Sequence, residues 1–223
     1  MSRYPIIVAI DETSCDEGLL SLASSLSTTV TGFKVGVPTL ISCGLGFLKS
    51  LRSAAPDSLL IADLKLADIG DVMVKTASLV KDVVDAVIAH SFVGFSGALD
   101  RLADSARAWG LKLILVASMS HEGSLEFYDK DIDRVLQLAK RLNPWGVVAP
   151  ATRPEVVRRV RGELPGVKIL SPGIGVQGAR PGDAICSGAD YEIIGRAILA
   201  SRDPVRAAVE AGEAALRCQA RSR

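Results

Sequence analysis

Short runs of Val, Ile and Leu recur along the chain, each followed by a longer stretch in which apolar residues return every three to four positions. The runs predict strands at 6–10, 32–35, 59–66, 86–90, 112–117, 146–149, 168–171 and 191–194. The longer stretches predict helices at 16–26, 38–54, 72–83, 97–109, 132–142, 154–164, 197–200 and 204–216. Unbroken apolar strands separated by helices are the mark of parallel βαβ units, whose strands are covered on both faces. Eight such strands in 223 residues predict an α/β protein of one domain, a (β/α)8 TIM barrel over 1–223, a fold that usually takes about 250 residues. An open doubly wound sheet uses the same alternation and is the alternative, because strand order is invisible at this level.

Composition narrows the partners. Hydrophobic residues make up 48% of the chain and mean hydropathy is +0.30, enough for a sizeable core. The 26 Lys and Arg nearly cancel the 25 Asp and Glu, which argues against a nucleic-acid surface. No run is long enough to span a membrane. The first residues lack the long apolar segment and cleavage site of a secretory signal, so a cytoplasmic protein is expected. Cys15, Cys43, Cys186 and Cys218 form no C-x-x-C pair. They are read as plain thiols in a reducing compartment.

In a barrel the chemistry sits at the C-terminal strand ends and in the loops that follow. Those ends are charged here. The first strand stops on Asp11, the second carries Lys34, and the third holds Asp63 and Lys65 with Asp68 just beyond. Residues two apart on a strand share a face, so Asp63 and Lys65 project together and Lys34 can reach the same space. Alternating Lys34, Asp63, Lys65 and Asp68 would pair as a network, as buried charges must. The bland alternative is a structural ion-pair cluster, with Asp11 merely capping a helix.

A second constellation is glycine-rich. After the seventh strand comes PGIGVQGARPG, with Pro172, Gly173, Gly175, Val176, Gln177, Gly178 and Gly182; after the eighth come Gly195 and Arg196. Loops after the last two barrel strands often hold a phosphate, and an Arg fork suits its oxygens. Ser120, after the fifth strand, is a further candidate, whereas His90 reads as a packed core histidine. Two histidines make a His-based metal site improbable. Carboxylates alone would not exclude magnesium.

Taken in order, these segments resemble the orotidine 5′-phosphate decarboxylase family over nearly the whole chain. The resemblance rests on Asp11, FKVG, DLKLADI, MSHEG, APATRPE, SPGIGVQGA and IIGRAI. It implies cofactor-free, metal-free decarboxylation of orotidine 5′-phosphate to UMP, the final step of UMP synthesis, in a homodimer of barrels. Lys65 would deliver the proton to C6, Asp63 would hold Lys65, and Lys34 and Asp11 would meet the ribose. Asp68 and Ile69 would enter the neighbouring subunit's site. Ser120 and Gln177 would contact the pyrimidine, and Arg196, Gly195 and the 172–182 loop the phosphate. Where the family often has a proline and a threonine after the catalytic motif, this chain has Gly70 and Val72, leaving the backbone at 72 to serve the ribose. In the related magnesium-dependent sugar-phosphate enzymes a Glu stands in place of Lys34, and a lysine there would repel a cation.

Overall fold

The computed structural model describes residues 3–221 and forms a closed barrel of eight parallel strands in sequential order. The strands are β1 (Tyr4–Ile10), β2 (Val30–Gly36), β3 (Leu59–Leu66), β4 (Ala86–His90), β5 (Lys112–Val116), β6 (Gly146–Val148), β7 (Lys168–Ser171) and β8 (Tyr191–Ile194). β8 pairs back onto β1 through Val8 and Ile194, which removes the open-sheet alternative. The helices are α1 (Glu17–Leu26), α2 (Val37–Ala54), α3 (Gly70–Ser78), α4 (Asp100–Trp109), α5 (Ile132–Leu142), α6 (Pro154–Glu163), α7 (Asp183–Cys186), α8 (Arg196–Leu199) and α9 (Pro204–Arg221). The core lies inside the barrel and between barrel and helices, with Ile7, Phe33, Ile61, Val87, Ile114 and Ile169 all essentially inaccessible. Among the described residues no helix is long and apolar enough to cross a membrane.

Local chemistry explains the element boundaries. Asp16 caps α1 by accepting from the Leu19 amide at 2.9 Å. α2 opens on Pro38 in its first turn and kinks at Gly44, where φ is +69°. Only β3 is irregular near the site. Between Ala62↔Val87 and Leu66↔Ala89, four steps along β3 match two along β4, and Lys65 takes a left-handed φ of 44°. A bulge at a strand end re-aims side chains, and here it turns the lysine toward the mouth of the barrel.

The cysteine reading needs correction. Cys15 is bridged to Cys43 and Cys186 to Cys218, with Cα–Cα separations of 6.0 and 4.9 Å, so none is a free thiol. The partners lie 28 and 32 residues apart and meet only because helices flank the barrel, one pair linking the loop after β1 to α2 and the other linking α7 to α9.

Candidate active site

A cavity of about 530 Å³ opens at the C-terminal end of the barrel. Ala9, Lys34, Asp63, Ile88, Val116, Val148 and Ile193 come from the strands; the loops add Asp11, Ser120, Pro172, Gly173, Val176, Gln177 and Gly195, and α8 adds Arg196. Lys65, at the end of β3, completes the charged wall.

Asp63 is the centre of the charged group. Its Oδ2 lies 2.9 Å from the Lys34 ammonium and 2.8 Å from that of Lys65, while Lys34 also reaches Asp11 at 3.4 Å. Burial alone would raise the Asp63 pKa, but the two ammonium groups override it and hold the carboxyl below the usual carboxylate range. Burial likewise pulls Lys34 down, and Asp63 and Asp11 more than offset it, leaving Lys34 above the ordinary lysine range. Asp63 lines the cavity, and its Oδ1 is buried without a hydrogen-bond partner among the described residues. Asp11 is kept at the rim by Thr39, whose hydroxyl donates to the carbonyls flanking it, Ile10 at 3.2 Å and Glu12 at 2.6 Å.

Asp68 does not join this network. It is exposed and, among the described residues, accepts only from the Ile69 amide at 2.7 Å, so the four-charge alternation is, within one chain, the trio Asp11, Lys34 and Lys65 around Asp63. The reason is the chain path: β3 ends at Leu66 and the backbone turns away from the cavity to start α3. Ile69 and Val72 are also exposed outside the cavity. The Val72 amide is already donated to the Ile69 carbonyl at 3.1 Å, which takes the backbone donor expected there for a ribose.

At the opposite end the walls are backbone. Gly173 has φ +104°, and a Cβ there would sit 3.1 Å from Thr152, 3.5 Å from Gln177 and 3.6 Å from Ser120. Only glycine lets the loops after β5, β6 and β7 meet so closely. The loop after β7 folds on itself, the Gly175 amide donating to Ala179 at 2.8 Å and the Ala179 amide to Gly173 at 3.2 Å. Val176, Gln177 and Gly178 form its exposed tip, and Gly178 and Gly182 do not line the cavity. Arg196 is exposed and forms no ion pair with a described residue.

Several supporting residues carry no sequence signal. Asp129 accepts from Ser118 at 2.5 Å and Ser124 at 3.1 Å and pairs with Arg153 at 3.0 Å, folding the loop that presents Ser120. His90 does pack as a bonded histidine, its Nδ1 2.5 Å from the Tyr128 hydroxyl. Burial pushes that hydroxyl up to about 12.

Comparisons with known proteins point to one family. The model of the orotidine 5′-phosphate decarboxylase / HUMPS family matches residues 4–211. An orotidine 5′-phosphate decarboxylase of Aeropyrum pernix is 49% identical over 209 residues, covering 91% of this chain and 84% of the relative. The crystal structure of orotidine 5′-monophosphate decarboxylase from Metallosphaera sedula superposes with a TM-score of 0.85 at 40% identity, covering 98% of this chain and all (100%) of that one. The structure of the Methanocaldococcus jannaschii enzyme, complexed with inhibitor BMP, gives a TM-score of 0.88 at 30% identity over 96% of this chain and 99% of its own. With its barrel, its Lys–Asp–Lys cluster and this breadth of match, the chain belongs to the orotidine 5′-phosphate decarboxylase / HUMPS family.

Proposed function

We propose that this chain, as one barrel domain over 1–223, decarboxylates orotidine 5′-phosphate to UMP and CO2 without a cofactor. The observation that carries the reading is Asp63 held between two ammonium groups, Lys34 at 2.9 Å and Lys65 at 2.8 Å, in the wall of a cavity that also holds Arg196, which forms no ion pair with a described residue. Loss of CO2 breaks the C6–carboxyl bond and leaves its electron pair on C6. Lys65 supplies the proton that C6 takes up, and its positive charge lies where negative charge grows. The amine recovers a proton from solvent. Asp63 fixes the Lys65 ammonium and lies beside the departing carboxylate. Lys34 and Asp11 take the ribose hydroxyls; Ser120 and Gln177 take the pyrimidine and tie it to the loop after β7. Pro172, Gly173, Val176, Gly195 and Arg196 form the phosphate end, and Gly175, Gly178 and Gly182 shape the loop behind it. Binding energy from the unreacting phosphate then organises the reacting end.

Asp68 and Ile69 complete the site of a second copy in a homodimer. Ile69 is 63% exposed, and Phe92 and Phe127, in loops at the same end of the barrel, are 65% and 72% exposed. Such an apolar rim suits burial against another barrel. A cytoplasmic setting goes with this reading, since a trianionic nucleotide does not cross membranes unaided. The two disulfides fit that setting where intracellular bridges persist, as in hyperthermophilic archaea.

The direct test mixes purified protein with orotidine 5′-phosphate, with and without EDTA, and follows loss of the orotate absorbance. Turnover unaffected by EDTA is expected. No turnover overturns the activity. EDTA-sensitive turnover overturns the cofactor-free mechanism and points to the magnesium-dependent branch instead.

A further inference from the structure

Glu192 lies in β8 and is fully buried, 0% exposed. Its neighbour Ile193 lines the cavity, so Glu192 points the other way, into the layer between barrel and helices. A carboxylate placed there is costly unless its oxygens are satisfied. No basic side chain among the described residues does this. The Gly182 amide donates to both carboxylate oxygens at 2.9 Å, and the Ala184 amide donates to Oε1 at 3.0 Å. Every donor belongs to one place, the end of the 172–182 loop and the first turn of α7.

Two further constraints converge on that place. Gly182 has φ +97°, and a Cβ there would lie 2.9 Å from the Ala214 carbonyl, so the loop end is pressed against α9. Four residues later Cys186 is bridged to Cys218 of the same helix. The start of the loop is held separately, the Ala151 amide donating to the Pro172 carbonyl at 2.8 Å. The loop therefore has fixed ends and an exposed middle. Its far end hangs on β8, the strand that runs through Gly195 into Arg196.

We propose that Glu192 is a positioning residue for phosphate binding: its carboxylate ties the end of the 172–182 loop to the strand that delivers Arg196, so that loop amides and guanidinium converge on one phosphate. This rests on the phosphate assignment made above. Glu192 itself touches no substrate. Burial pushes its carboxyl above the ordinary range against the pull of the Gly182, Ala184 and Ile185 amides. Glutamine is thus a fair stand-in that keeps one acceptor oxygen, whereas leucine fills the space and leaves the amides unpaired.

The test compares wild type, Glu192→Gln and Glu192→Leu in titrations with UMP and with uridine, and in turnover of orotidine 5′-phosphate. Glu192→Leu is expected to weaken UMP about tenfold and to raise KM by a similar factor. Uridine affinity should stay within about twofold, and Glu192→Gln should lose only about threefold on UMP. Equal losses for UMP and uridine overturn the proposal, as does unchanged UMP affinity in the leucine variant. If that variant does not fold, Glu192→Gln decides: a loss confined to UMP supports the role, and no such loss overturns it. Wild-type turnover is measured first; its absence defeats the assigned activity, while normal turnover with indifferent variants defeats only the role of Glu192.

Discussion

The two ends of the cavity are built on opposite plans. At the reacting end, side chains from β2, β3 and the loop after β1 meet in pairs, and Asp63 and Lys34 are only 4% and 7% exposed. At the phosphate end the loops are glycine-rich, and Arg196 is exposed and forms no ion pair with a described residue. Charges that must stand in a nearly dry wall need each other before substrate arrives, because an isolated one would neutralise or destabilise the fold. A charge at the rim can wait in water for its anion. One end is preorganised for the transition state; the other is completed by the ligand.

The largest way to break this contrast is Lys65→Ala, expected to lower kcat on the order of 10⁴-fold by removing proton donor and local cation together. Single-turnover rates with UMP affinity as control check it, and a loss under about tenfold would sink the role of Lys65. Next comes Arg196→Ala, expected to cut kcat/KM by about 10³-fold with little change in Tm, since no protein group is left unpaired. Near-normal kinetics there would remove the phosphate assignment.

Asp63→Asn should act on stability as well, costing about 3 kcal/mol because it strips the buried Lys34 of its nearest carboxylate. The sign of its pH dependence follows from both partners. Asp63 titrates below its ordinary 3.8, so its contribution is present above that value and lost as pH falls through the folded pKa. Lys34 titrates above its ordinary 10.5, so its contribution is present below that value and lost as pH rises through the folded one. The Tm difference between wild type and Asp63→Asn should therefore be widest between these limits and narrow at both extremes; a flat difference would contradict it. The smallest effect is expected from opening one bridge. Cys15→Ser with Cys43→Ser should cost about 2 kcal/mol, read by denaturant unfolding, with kcat retained.

How much was legible follows the range of the interactions. β3, β4, β7 and β8 have the boundaries their apolar runs predict, because a strand covered on both faces is written locally. α3 starts at Gly70 and stops at Ser78, whereas the apolar spacing ran from 72 to 83; the residues after 78 continue as turns. Asp11, Lys34, Asp63 and Lys65 were found because charge inside apolar runs is conspicuous. Asp68 looked like a fourth member only because spacing along the chain does not reveal where β3 ends and the backbone turns out. Thr39, Asp129 and Glu192 act across 27, 11 and 10 positions respectively, through ordinary polar residues with no motif, and Arg153, though it stands in APATRPE, reaches Ser118 across 35 positions. The bridged cysteines are hidden for the same reason.

The irregular stretch of β3 also sets a rule for length variation. Four steps of β3 against two of β4 make an excess of two residues. An even excess returns the strand to the same inward–outward phase, so Asp63 and Lys65 can share the interior with Ile61 behind them. An odd one cannot. Removing or inserting a single residue between 62 and 66 would turn the lysine outward while leaving the apolar half of the strand content. Drift in this segment should therefore proceed by substitution or by paired changes in length, and a lineage that took a single step would keep its barrel and lose its chemistry.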